Sequence, residues 1–195
     1  YSGSIKAIGG KSGDHGGAGI GSGYHSSASD INIYGGNIIA WGSACGAGIG
    51  SGYGTSGGAI SQGAGVGFYN GGNITISGGT IRAASFHMDF DNFDPYNTEC
   101  LYGEGYSDSL AAGIGGGYGA SSGNIIIEGD ADVIALGACG GAGIGSGRGT
   151  SNKDKYDLSK FDVNITIRGN AKVIAMATDD RRSSAKGDDD GGAAI

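Results

Sequence analysis

Apolar residues in this chain recur two positions apart, in short phrases fenced by Gly, Ser or Asn. Ile74 and Ile76, Ile81 and Ala83, and Ala112 and Ile114 are examples. A period of two is the strand signature, because successive side chains point to opposite faces. The fences are turn punctuation, and no amphipathic window at helical spacing competes. The phrases themselves repeat. One reads Asp30-Ile31-Asn32-Ile33, then Asn73-Ile74-Thr75-Ile76, Asn124-Ile125-Ile126-Ile127 and Asn164-Ile165-Thr166-Ile167. A second reads Ile5-Lys6-Ala7, Ile38-Ile39-Ala40, Ile81-Arg82-Ala83, Val133-Ile134-Ala135 and Val173-Ile174-Ala175. A third reads Gly17-Ala18-Gly19-Ile20-Gly21, with copies at 46–50, 63–67, 111–115 and 141–145, and a truncated Gly192-Ala193-Ala194-Ile195. Self-similarity of this kind fixes the architecture before anything else does.

Three short strands per unit, repeated about five times, cannot pair as hairpins, since each phrase must stack on its own copy. Like on like predicts an all-β fold: three parallel sheets wound into a right-handed single-stranded parallel β-helix of about five rungs. Rungs then rise by roughly 4.8 Å. Side one stacks Ile31/Ile33, Ile74/Ile76, Ile125/Ile127 and Ile165/Ile167 inward. Side two stacks Ile5, Ile38, Ile81, Val133 and Val173, with an alanine two residues on. Side three stacks Ile20, Ile49, Ile114 and Ile144. Asp30, Asn73, Asn124 and Asn164 share one corner, where stacked amides can bond along the axis.

The link from side two to side three is the variable corner. It is short at Gly42-Ser43-Ala44-Cys45 and at Gly137-Ala138-Cys139-Gly140, but swells into an insertion at 84–110 and again at 178–190. Long insertions in a repeat gather on one face, often the binding face. Both are acidic. Asp89, Asp91, Asp94, Asp179 and Asp180 are candidate ligands for a structural calcium ion, since hard cations want several carboxylate oxygens. The Asp89-x-Asp91-x-x-Asp94 spacing lacks the loop glycine and closing glutamate of an EF-hand, and acid runs in loops are also ordinary solvated surface. Calcium-binding nonapeptide repeats are excluded, because Asp30 is the only acid near the required spot. His15 and His87 fall at the same corner without a nucleophile or ligand spacing, and read as surface histidines.

Two further patterns carry expectations. Four residues beyond each side-three isoleucine lie Tyr24, Tyr53, Tyr118 and Arg148. Rings at that spacing can stack on one another or offer faces to sugar rings. The outward side-two positions are apolar (Ile8, Ile39, Trp41, Ile134, Leu136, Ile174, Met176), and a contiguous apolar sheet wants a cover. Phe86, Met88, Phe90 and Phe93 of the insertion are predicted to fold over Trp41, Ile134 and Leu136. The outward side-one positions Asn32, Thr75, Ile126 and Thr166 are too irregular for an ice-binding threonine array. All three cysteines fall at the variable corner. Cys45 and Cys139 are two rungs apart, roughly 9–10 Å, beyond the Cα separation of about 7 Å that a disulfide tolerates. One bond from Cys100 to Cys45 or Cys139 is therefore expected, as a secreted setting permits.

Composition narrows the class. Glycine is 46 of 195 residues with a single proline, which excludes collagen. With 12 basic against 19 acidic residues, net −7, the chain lacks the basic footprint that nucleic acid requires. No apolar run is long enough for a membrane-spanning helix. There is no initiator Met or signal peptide, and both ends cut through a repeat, so residues 1–195 read as a single-domain fragment of a longer array.

The phrases Asn73-Ile-Thr-Ile-Ser-Gly-Gly-Thr-Ile81 and Ala112-Gly-Ile-Gly-Gly-Gly117 resemble the Gly-rich repeat regions of large surface proteins of anaerobic gut and soil bacteria, some of them labelled carbohydrate-binding. The resemblance covers the repeats but not the insertion, and brings no catalytic motif. It implies an extracellular or cell-surface location and a binding or adhesion segment directed to carbohydrate or another cell-surface ligand. The alternatives from other classes are a polysaccharide lyase or hydrolase using the acidic corner, and a passive structural spacer.

Overall fold

A computed structural model of the chain describes residues 3–13, 15–26, 28–54, 72–92, 94, 109–148, 164–178 and 193–195. Every regular element among them is a β-strand. In chain order these are β1 (Ser4–Ile8), β2 (Lys11–Ser12), β3 (His15–Gly16), β4 (Ile20–Gly21), β5 (Ile31–Ile33), β6 (Asn37–Trp41), β7 (Ile49–Gly50) and β8 (Ile74–Ile76). They continue with β9 (Thr80–Ala84), β10 (Ile114–Gly115), β11 (Ile125–Ile127), β12 (Asp132–Leu136), β13 (Ile144–Gly145), β14 (Ile165–Ile167) and β15 (Lys172–Met176).

Each phrase pairs with its own copy. One sheet runs β1-β6-β9-β12-β15, a second β4-β7-β10-β13 and a third β5-β8-β11-β14. All of these pairings are parallel, with Ile5 beside Ile38, Ile38 beside Ile81, Val133 beside both Ile81 and Val173, and Ile74 beside both Ile31 and Ile125. The register is the one the repeats predict. The chain visits the three sheets in the same order on every pass, and the pairing hydrogen bonds run from one pass to the next. The exception is β2–β3, an antiparallel pair inside the short link after β1 that no phrase announces.

The core lies between the three sheets. Ile74, Ile76, Ile81, Ile114, Ile125, Ile127, Val133 and Ile144 are fully buried there, each contributing about 1.5–3 kcal/mol relative to exposure. Burial falls off towards the outer strands: Ile5 in β1 is 52% exposed and Ile167 in β14 is 41% exposed. The Ile-Gly strands need their glycine. Gly50 has φ of 136°, and a Cβ there would lie 1.9 Å from the carbonyl oxygen of Gly115 on the next pass. Only a residue without a side chain allows that approach.

Corner side chains form their own ladders. Asn73 donates from Nδ2 to Asp30 Oδ1 at 3.0 Å, the Asn124 N–H donates to Asn73 Oδ1 at 3.3 Å, and Asn164 Nδ2 donates to Asn124 Oδ1 at 3.2 Å. At the next corner Arg168 reaches back to Glu128 Oε2 through Nε at 2.7 Å, while the Ser77 hydroxyl donates to Oε1 at 3.1 Å.

A second apolar cluster sits outside the five-stranded sheet. Trp41, Ala84, Ile134, Leu136, Ala138 and Cys139 are buried together with Phe86 and Met88, and Phe90, Leu110 and Met176 pack at its margin. The start of the insertion therefore covers the sheet as its aromatic content predicts. Ala84 still belongs to β9, so the chain leaves the sheet at Ser85. Phe93 lies outside the described residues. The cover is partial: Ile8 remains 61% exposed and Ile174 38%.

Candidate binding edge

Tyr24, Tyr53, Tyr118 and Arg148 follow β4, β7, β10 and β13 at the same distance, so the parallel register places them on successive passes at one edge. Backbone bonds fix the last three. The N–H of Tyr53 donates to Gly16 O, that of Tyr118 to Cys45 O and that of Arg148 to Leu110 O, all at 2.8–2.9 Å. Their carbonyls accept in turn, Tyr53 from His25, Tyr118 from Gly54 and Arg148 from Gly119, each at 2.9 Å. The edge is thus tied to the corner that carries the insertions.

The rings meet. Tyr24 and Tyr53 stack with centroids 5.5 Å apart, and Tyr53 and Tyr118 lie 5.3 Å apart at 37°. His15, on β3, stacks on Tyr24 at 4.3 Å and lies 5.3 Å from Tyr53. His25 meets Tyr24 edge-on at 3.9 Å, held at a positive φ of 55°. Offset and edge-on contacts of this kind are the preferred arrangements of ring quadrupoles. Tyr24 is 43% exposed and His15 is exposed, while Tyr53, Tyr118 and Arg148 are half-buried. With ring faces engaged among themselves, Tyr24 and His15 are the members of the edge most open to solvent.

The two histidines were not legible as part of this edge. His15 arrives on the β2–β3 hairpin, and His25 follows Tyr24 with no counterpart on the other passes. The only signal was Tyr24-His25 adjacency, which by itself means nothing. The third histidine, His87, also packs on an aromatic ring, 4.8 Å from Trp41, whose other contacts include Lys6 Nζ at 4.9 Å.

The acidic corner is arranged locally. Asp89 accepts at one carboxylate oxygen from the Asp91 N–H at 3.0 Å and at the other from Asn92 Nδ2 at 2.6 Å. The Asn92 amide above all, and then the Asp91 N–H, hold its carboxyl below the usual carboxylate range. Among the described residues no group of three or more His, Cys, Asp or Glu side chains is gathered to hold a metal ion. Asp179 and Asp180 lie outside the described residues. So does Cys100, and with it the predicted disulfide. Cys45 and Cys139 are buried and occupy turns after β6 and β12, which β9 separates.

No protein-family model matches the chain, and comparison with curated proteins and with solved structures likewise finds no significant match.

Proposed function

We propose that the chain is a binding segment of an extracellular bacterial surface protein, directed to carbohydrate through the edge formed by His15, Tyr24, Tyr53, Tyr118 and Arg148. The observation that supports this reading is the gathering of aromatic and imidazole rings on successive passes at one edge, with Tyr24 open to solvent. The scaffold in this reading is a right-handed single-stranded parallel β-helix. The repeated order of the three sheets supports the coil, and the strong preference of parallel crossovers for the right hand supports its sense. A glycan array probed with the whole chain tests the proposal. Binding that Tyr24→Ala abolishes while the melt is unchanged is the expected result; an array without hits, or hits indifferent to Tyr24, counts against it.

A second reading, a spacer that displays other domains, is favoured by one observation: the rings stack chiefly on each other, which serves the scaffold. It predicts that Tyr24→Ala and Tyr53→Ala lower the melting temperature and change no binding. Calcium belongs to either reading as a structural ion at the acidic corner. Chelation then lowers the melting temperature, and Asp91→Ala removes the response.

A further inference from the structure

Two rings of the tyrosine edge are placed for a covalent reaction with each other. Tyr24 and Tyr53 lie on neighbouring passes whose backbones are bonded together before and after Tyr24. The Ser22 N–H donates to Gly50 O at 3.0 Å, the Gly52 N–H to Ser22 Oγ at 3.2 Å and the His25 N–H to Tyr53 O at 2.9 Å. The rings stack at an interplanar angle of 29° with centroids 5.5 Å apart. Carbon atoms of packed rings meet at about 3.5–4.0 Å, so near-parallel rings at that centroid separation are offset by roughly 4 Å. An offset of that size sets rim against rim, and the rim carries the carbons ortho to each hydroxyl.

Exposure decides which pair reacts. Tyr24 is 43% exposed and open to an oxidant in solution, while Tyr53 beside it is half-buried. A phenoxyl radical formed at Tyr24 has Tyr53 as its tyrosine neighbour at any dilution, because the stack holds the two in contact. Tyr53 and Tyr118, at 5.3 Å and 37°, are both half-buried and less open to attack. Tyr34, 71% exposed, is the most open tyrosine of the four but joins no ring stack among the described residues.

We propose that Tyr24 and Tyr53 form an intramolecular cross-linking site, joined as dityrosine when a peroxidase supplies one-electron oxidation from hydrogen peroxide. Each phenol gives up one electron and one proton, and together these reduce hydrogen peroxide to two waters. The paired radicals form a carbon–carbon bond between ring carbons ortho to the hydroxyls. The hydrogens displaced from those carbons move to the phenolic oxygens and restore both hydroxyls, so the product is two hydrogens lighter than the parent. The bond closes the loop between residues 24 and 53 and ties one pass to the next. It should raise the melting temperature by restricting the unfolded chain, as a disulfide does. The reaction needs no ligand at the edge and is independent of carbohydrate binding there.

The test treats the whole chain, dilute enough to stay monomeric, with hydrogen peroxide and a haem peroxidase. Dityrosine fluorescence in the monomer is expected. Peptides cut between the two tyrosines at Trp41 should remain joined through Tyr24 and Tyr53, two hydrogens lighter than their sum. Tyr24→Phe, which keeps the ring but not the oxidisable hydroxyl, should lose that fluorescence, whereas Tyr34→Phe should keep it. The chain unfolded in urea, where no stack aligns the rings, should show no preference for this pair. An unchanged yield in Tyr24→Phe, the same pair at the same yield in urea, or no dityrosine in the monomer under conditions that couple N-acetyltyrosine would each overturn the proposal.

Discussion

Gly50 shows how one residue carries the fold. Its φ of 136° and the carbonyl oxygen 1.9 Å from a notional Cβ leave no room for alanine. Gly50→Ala should destabilise by roughly 1–3 kcal/mol from backbone strain alone, with the clash adding to it. Gly23→Ala, where nothing lies within 4 Å of the added carbon, should stay within about 0.5 kcal/mol; thermal melts of the two variants compare them directly. Glu128 gives a pH signature. The Arg168 hydrogen bond first, then that of Ser77, lowers its pKa in the folded chain. A carboxyl lowered on folding stabilises above its unfolded pKa, and that contribution disappears as pH falls through the folded value. Stability of the native chain should therefore drop more steeply on acidification through the carboxylate range than that of Glu128→Gln, as paired melts across that range will show.

Among the elements, the insertion is the part whose packing has the largest single consequence. Phe86 is buried against the outer face of the five-stranded sheet together with Trp41 and Leu136. Phe86→Ala should cost about 3–5 kcal/mol and shift Trp41 fluorescence to the red as water reaches the indole. A variant that melts like the parent, with unshifted emission, would remove the cover from the account. The strands and their register were legible because the same three phrases recur with one alternation, and a slip of one residue would have turned every isoleucine outward. The asparagine ladder was legible for the same reason. The β2–β3 hairpin was not, since it occurs once and Gly9-Gly10-Lys11-Ser12 carries no alternation. His15 entered the tyrosine edge by way of that single irregular link and His25 from the turn after β4, where later passes carry Gly54 and Gly119, so no repeat could announce them.

For the whole molecule, the pairing pattern makes stability a sum over neighbours. Ile81 and Val133, with copies on both sides, are fully buried, while Ile5 at one end is 52% exposed. Amide exchange should accordingly be slowest in β9 and β12 and fastest in β1, with β15 also faster than the centre. Uniform protection along the stack would point to a single cooperative unit instead. The acidic links remained illegible as chemistry, because carboxylates in a loop carry no period from which their mutual distances follow.

The direction of the inter-strand bonds has a mechanical consequence. In the proposed β-helix the strands lie across the axis and their hydrogen bonds run along it, so tension between the two ends should load those bonds in series. Such a load should peel one pass at a time rather than shear a whole sheet at once. Val133 and Val173 face each other across the last boundary, so releasing that pass frees about 40 residues, roughly 130–140 Å of chain at full extension. Pulled from its ends, the molecule should lengthen in a staircase of low, similar forces, behaving as a yielding tether that dissipates a sudden load and rewinds when it is relieved.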